Sequence, residues 1–132
     1  MDKIYIGIDP GKSGAACFLM GDQIKTIKCP KTTHDMAEDL IDIEKTSMFL
    51  SGITAVVEKV HAFPGQGVTS CFNFGYNYGV WLGILSALKI PYKLVSPQKW
   101  MKYYSVPKME KKDRKHYLKQ LAQQMYPEHK VT

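Results

Sequence analysis

Residues 3–9, KIYIGID, alternate strictly: Ile4, Ile6 and Ile8 fall on one side, and Tyr5, Gly7 and Asp9 on the other. An apolar residue at every second position is the period of a strand with one buried face. Pro10-Gly11 follows at once and turns the chain. Residues 14–20 (GAACFLM) and 23–29 (QIKTIKC) read as two more strands, with Gly21-Asp22 between them as a tight hairpin connection. The chain is therefore expected to open with a three-stranded antiparallel meander, with Asp9 closing its first strand.

The rest of the chain alternates helices with strands. Residues 33–50 read as a helix that Thr32 or Thr33 caps, with Asp35 in the first turn and Met36, Leu40, Ile43 and Leu50 at roughly helical spacing. Residues 53–58 (ITAVVE) form a β-branched strand, which is expected to be parallel and central because a helix precedes it. Residues 61–69 (HAFPGQGVT) are a loop, and 70–89 a second helix carrying Gly75, Gly79 and Gly83 on one stripe. A glycine inside a helix costs about 1 kcal/mol against alanine, so three in a row imply that another backbone comes very close. Residues 92–95 (YKLV) are a short strand, and 97–104 a short helix with Pro97 in its first turn. Residues 109–125 are a charged helix with a stripe of Leu118, Leu121 and Met125, stopped by Pro127. The sum is an α/β domain with a mixed five-stranded sheet, three antiparallel strands and then parallel ones, flanked by helices.

Length and composition bound the function. A chain of 132 residues is the size of one domain, so 1–132 is read as a single unit. No apolar run approaches the ~20 residues of a membrane-spanning helix, and MDKIYIGID is not a signal peptide, so a cytoplasmic protein without a membrane partner is expected. Cys17, Cys29 and Cys71 are odd in number and far apart, which argues against a disulfide framework or a CxxC zinc site and for small buried hydrophobes. The net charge is +6, and the excess lies from Lys89 onward. Such one-sidedness points to a polyanion, nucleic acid first; the plainer reading is a solvated basic helix.

Asp9 closes the first strand and Glu58 the fourth. Where those strands are neighbours, both carboxylates emerge at one edge of the sheet, where they repel unless a cation lies between them. Oxygen ligands suit Mg²⁺ or Mn²⁺, and two such ions ~4 Å apart can activate water and stabilise a leaving phosphodiester oxygen. Taken singly, Asp9 also reads as a turn former in Asp-Pro-Gly, and Glu58 as a surface acid at a strand end.

Four stretches in order carry a resemblance: IGIDPGKSGA (6–15), VVEKVHAFPGQG (56–67), FNFGYNYGVWLG (72–83) and VSPQKWMKYY (95–104). They resemble the RuvC-like Holliday-junction resolvases, especially the phage-encoded branch, over nearly the whole chain. The resemblance implies an RNase H-like fold and Mg²⁺-dependent hydrolysis of branched DNA, with Mn²⁺ as substitute. It implies that Asp9 and Glu58 are the first two catalytic, metal-binding carboxylates. It also implies two further acids on a C-terminal helix, a pattern this sequence does not show before Val131-Thr132; Asp113, inside KKDRK, and Glu128 do not match it. The chain is accordingly expected to stop short of that helix and to bind metal poorly and cut little. Phe63, Gln66, Phe72 and Phe74 match the region at the junction centre, where an aromatic can stack on an unpaired base. For Phe72 or Phe74 alone, packing on the core is the plainer reading, and His61 is as well explained as a loop residue. Lys99, Lys102, Lys111, Lys112 and Arg114 match a basic region that would neutralise DNA phosphates. Family members act as dimers, so Gly75, Gly79 and Gly83 are expected either to form a two-fold homodimer contact or to pack on their own sheet.

Two other functions stay in view, a non-catalytic nucleic-acid-binding module and an RNase H-like nuclease for structured RNA. A sugar-kinase or actin-like ATPase, whose phosphate loop IDPGKSGA also resembles, needs two such domains and more chain than 132 residues.

Overall fold

The computed structural model describes residues 3–11, 13–30, 32–46 and 52–131. Its elements are β1 (Ile4–Ile8), β2 (Ala15–Met20), β3 (Gln23–Lys28), α1 (Thr33–Thr46), β4 (Ile53–Glu58), α2 (Val68–Ala87), β5 (Tyr92–Val95), α3 (Pro97–Tyr103) and α4 (Lys111–Met125). The five strands form one sheet in the order β3-β2-β1-β4-β5. β1 pairs antiparallel with β2 and parallel with β4, and β4 pairs parallel with β5. This is the mixed five-stranded sheet the sequence predicts. Gly21, at φ 61°, supplies the left-handed turn that lets Met20 face Gln23 across the β2–β3 hairpin.

The chain falls into two compact units, Met1–Ser96 and Pro97–Thr132. In the first, the alternation of β1 works as read: Ile4, Ile6 and Ile8 are buried, with Ala16 and Phe18 of β2 and Ala55 and Val57 of β4. Met36, Leu40 and Ile43 of α1 and Trp81 and Leu85 of α2 close the same cluster. Both helices thus cover one face of the sheet, and each large side chain buried there contributes about 1.5–3 kcal/mol. The α1 cap is the expected one, with the Asp35 N–H donating to Thr32 Oγ1 at 3.1 Å. Leu50, expected on α1, lies outside the described residues. The opposite sheet face stays partly open, with Tyr5 51% and Val56 40% exposed.

α2 departs from expectation in one respect. A Cβ built on Gly75, Gly79 or Gly83 meets no described atom within 4 Å, so the stripe does not pack on its own sheet. The apolar residues it buries are Trp81 and Leu85, on the other side of the helix. Trp81 is fully buried, yet among the described residues its indole N–H meets no acceptor.

The second unit holds α3 and α4. Pro97 opens α3, where its missing N–H costs nothing. Neither helix buries any residue. Gln123 ties the chain after α4 back to it: its side-chain amide donates to His129 O at 2.8 Å, and its Oε1 accepts from the Val131 N–H at 3.0 Å.

Candidate functional site

Asp9 and Glu58 are brought together by strand pairing. Ile8 lies beside Val57 in the parallel β1–β4 register, so the next residues along, Asp9 and Glu58, are neighbours at the carboxyl ends of adjacent strands. Paired strands run about 4.8 Å apart, which sets the spacing of the two backbones. By alternation both belong to the face opposite the buried core. Glu58 also pairs with Val95 of β5, and the Lys59 N–H donates to Val95 O at 2.8 Å, so the ends of β1, β4 and β5 lie in one row. The carboxyl ends of parallel strands are where α/β sheets bind ligands.

The turn after β1 holds Asp9 in place. The Asp9 N–H donates to Ala15 O at 2.9 Å, and the Gly11 N–H donates to Asp9 Oδ1 at 3.2 Å. Gly14 packs so tightly here that a Cβ would overlap the Asp9 carbonyl and come within 2.8 Å of Gly11 O. Cys29 follows β3, and its N–H donates to Gly14 O at 2.9 Å. Burial pushes the Cys29 thiol up, and the Asp9 carboxylate adds to that rise. Neither Gly14 nor Cys29 stands out in the sequence; GKSGA shows a turn but not which glycine the backbone crowds. The three cysteines are partly rather than fully buried. Among the described residues no group of three or more His, Cys, Asp and Glu is arranged to hold a metal. The pair offers hard oxygen donors, and Mg²⁺ is commonly held by one or two carboxylates, with water and substrate phosphate completing its shell. The two residues therefore fit that ion.

The loop before α2 is built around Gln66. Phe63-Pro64-Gly65-Gln66 is a tight turn with Gly65 at φ 83° and the Gln66 N–H donating to Phe63 O at 3.1 Å. The Gln66 side chain answers back, its Oε1 accepting from the Phe63 N–H at 3.1 Å, and its amide donates to Ser70 Oγ at 3.3 Å. Gln66 thus clamps the turn onto the first turn of α2, with Phe63 exposed at the turn's edge. His61 and Phe63 lie ring against ring at 5.0 Å. Phe72 is 71% exposed and stacks on Tyr76 at 6.4 Å, so the core-packing reading fails for it. Phe74 is half-buried and lines a shallow depression with Thr69, Ser70 and Asn73.

The basic residues named from the sequence all lie in the second unit, Lys99 and Lys102 on α3 and Lys111, Lys112 and Arg114 on α4. The four lysines are exposed and Arg114 is half-buried. No described helix is long and apolar enough to cross a membrane.

No protein-family model matches the chain, and no curated protein sequence does either. Solved structures do. The RuvC of Thermus thermophilus in complex with a Holliday junction substrate superposes with a TM-score of 0.60 at 9% identity, covering 98% of this chain and 82% of that one. A further T. thermophilus RuvC structure gives 0.58 at 10% identity, covering 98% and 83%. At such identity the likeness is one of fold alone, and with the sheet order and mixed strand directions above it shows that the chain has the RNase H-like α/β fold seen in RuvC.

Proposed function

We propose that the protein is a metal-dependent, structure-selective endonuclease that hydrolyses phosphodiesters in branched DNA such as four-way junctions. The observation that carries this reading is the pairing of Asp9 with Glu58 at the carboxyl ends of β1 and β4, on the fold of a junction resolvase. In this reading Asp9 and Glu58 hold Mg²⁺ or Mn²⁺, which when bound activates water and stabilises the charge on the leaving oxygen. The Gly14 turn fixes Asp9, Phe63 and Phe72 present aromatic surface to the branch point, and Gln66 sets the angle at which Phe63 is offered. The protein then works in the cytoplasm. The test uses the full-length protein. A labelled four-way junction and a linear duplex of equal sequence are incubated with Mg²⁺, with Mn²⁺ and with EDTA. Paired nicks near the branch, abolished by EDTA, are expected. Tight junction binding without cutting would leave a binding module, and cutting of structured RNA in preference to the junction would move the substrate to RNA.

The basic unit supplies sequence-independent affinity. Each phosphate neutralised releases counterions, so log K falls with log salt by about 0.9 per contact on duplex DNA. Replacing Lys111 and Lys112 together by Gln is expected to lower that slope by about 2 and weaken binding equally on unrelated sequences, read by fluorescence anisotropy across a salt series.

The exposed side of α2 is proposed as a two-fold contact with a second copy. Val68, Phe72 and Tyr76 stand exposed beside Gly75, Gly79 and Gly83, where a partner backbone can approach closely. A two-fold dimer matches a four-way junction and places one site on each of two symmetric strands. Gly79→Glu is expected to shift sedimentation from dimer to monomer without changing the circular dichroism spectrum; a dimer that persists would move the interface elsewhere.

A further inference from the structure

Charge divides this chain sharply. Pro97–Thr132 holds nine of the eighteen Lys and Arg residues and three of the twelve Asp and Glu, which leaves nine of each before it; the whole net charge of +6 thus lies in the second unit. Within this cationic unit α3 and α4 enclose an apolar groove lined by Trp100, Tyr104, Leu118, Leu121, Met125 and Tyr126. Tyr104, Met125 and Tyr126 are 41%, 45% and 37% exposed, and Tyr103 beside them is 80% exposed, edge-on to Tyr104 at 4.9 Å. Along α4 the stripe that forms the floor, Leu118, Leu121 and Met125, continues N-terminally as Arg114 and Lys111. One helix face therefore passes from cationic to apolar within about one turn, ~5 Å.

We propose that this groove is a stacking slot for an unpaired nucleotide of a DNA strand, whose flanking phosphates lie on the lysines and Arg114. Aromatic rings set in a positive groove are the pair of features with which proteins hold single strands, the rings taking base faces of any sequence and the cations the backbone. The floor spans Leu118 to Met125, about 10 Å, room for one or two bases. A second copy docking through its own basic unit would set like charge against like and is disfavoured. An acidic amphipathic helix would satisfy the charge, but it gains less from three aromatic rings than a base does. The inference rests on nucleic acid being the partner of the basic unit; it does not rest on metal chemistry at Asp9 and Glu58.

The chain has two tryptophans, Trp81 buried in the first unit and Trp100 in the groove, so Trp100 reports on the slot. Full-length protein is titrated with single-stranded oligothymidylate, with a blunt duplex of equal length and with a four-way junction at one salt concentration. Oligothymidylate is expected to quench tryptophan emission, the quench being absent from Trp100→Phe, while the duplex quenches little. Tyr104→Ala is expected to bind oligothymidylate about tenfold more weakly, and Tyr104→Phe to bind as the wild type does, which separates stacking from misfolding. Equal binding by Tyr104→Ala and wild type, or a duplex that competes as well as the single strand, overturns the slot. So does quenching by an acidic amphipathic peptide where oligothymidylate gives none. If the junction then still binds with its salt dependence, the slot alone falls; if no DNA binds, the nuclease reading falls with it.

Discussion

Asp9→Asn is expected to reduce metal-dependent cutting of a four-way junction by at least a hundredfold while leaving junction binding in place. The substitution keeps the size of the side chain and its ability to accept the Gly11 N–H, so the turn after β1 has no reason to move. What it removes is one negative charge and one metal-binding carboxylate. Loss of a group that merely orients a ligand costs roughly 10–100-fold in metal affinity or activity, and losing a ligand itself should cost no less. The effect on binding has the opposite sign. Without a metal ion, Asp9 and Glu58 present two adjacent negative charges to a phosphate, each repulsion worth about 1 kcal/mol at 4 Å in water. In EDTA the variant should therefore bind the junction as tightly as wild type or more so, whereas in Mg²⁺ the advantage disappears. Product gels and anisotropy on the same preparations read both quantities. Cutting that survives the substitution would remove Asp9 from the proposed chemistry, and binding lost together with cutting would make Asp9 a folding residue instead.

How much of this was legible in the sequence depended on how local the signal was. The β1 alternation, the Gly21-Asp22 hairpin, the Thr32 cap and Pro97 at the start of α3 are local, and each sits where the sequence puts it. The strand order is not local: the sequence places Asp9 beside Glu58 only on the condition that β1 and β4 are neighbours, and the parallel β1–β4 pairing meets that condition. The Gly75, Gly79 and Gly83 stripe misled in part. Three helical glycines lead one to expect a neighbouring backbone, but a sequence does not say whose, and among the described residues nothing of this chain's own comes within reach. The resemblance places Gln66 in the region at the junction centre. Its amide is engaged with Phe63 and Ser70, a pairing that depends on a turn only Pro64-Gly65 hints at. The groove of the second unit was half legible. Leu118, Leu121 and Met125 were visible as a stripe, but a stripe on a short helix looks the same whether it faces a core or stays open, and here α3 and α4 bury nothing fully.

Gly14→Ala carries the largest expected loss of stability. The objection to a side chain at this position is steric: the added methyl would overlap the Asp9 carbonyl and crowd Gly11 O, both of them backbone atoms, the second already accepting the Gly14 N–H. A flexible side chain could swing aside, but here the β1–β2 turn itself must open. That puts at risk the Asp9 N–H bond to Ala15 O and the Cys29 N–H bond to Gly14 O, which anchor the turn to β2 and β3. Overpacking usually costs 1–3 kcal/mol; with backbone on both sides a cost of about 3 kcal/mol or more is expected, a drop in melting temperature of roughly 10 °C. Gly7→Ala is the control, because a Cβ there, on the open sheet face next to Asp9, meets no described atom within 4 Å. Its effect should stay within about 1 kcal/mol, and in the stabilising direction, since glycine is a poor strand residue. Urea unfolding of the two variants decides the matter. Equal effects would mean that the turn yields easily and does not hold Asp9; a large loss confined to Gly14→Ala, with cutting reduced even well below the melting temperature, would tie the crowded turn to the placement of the carboxylate.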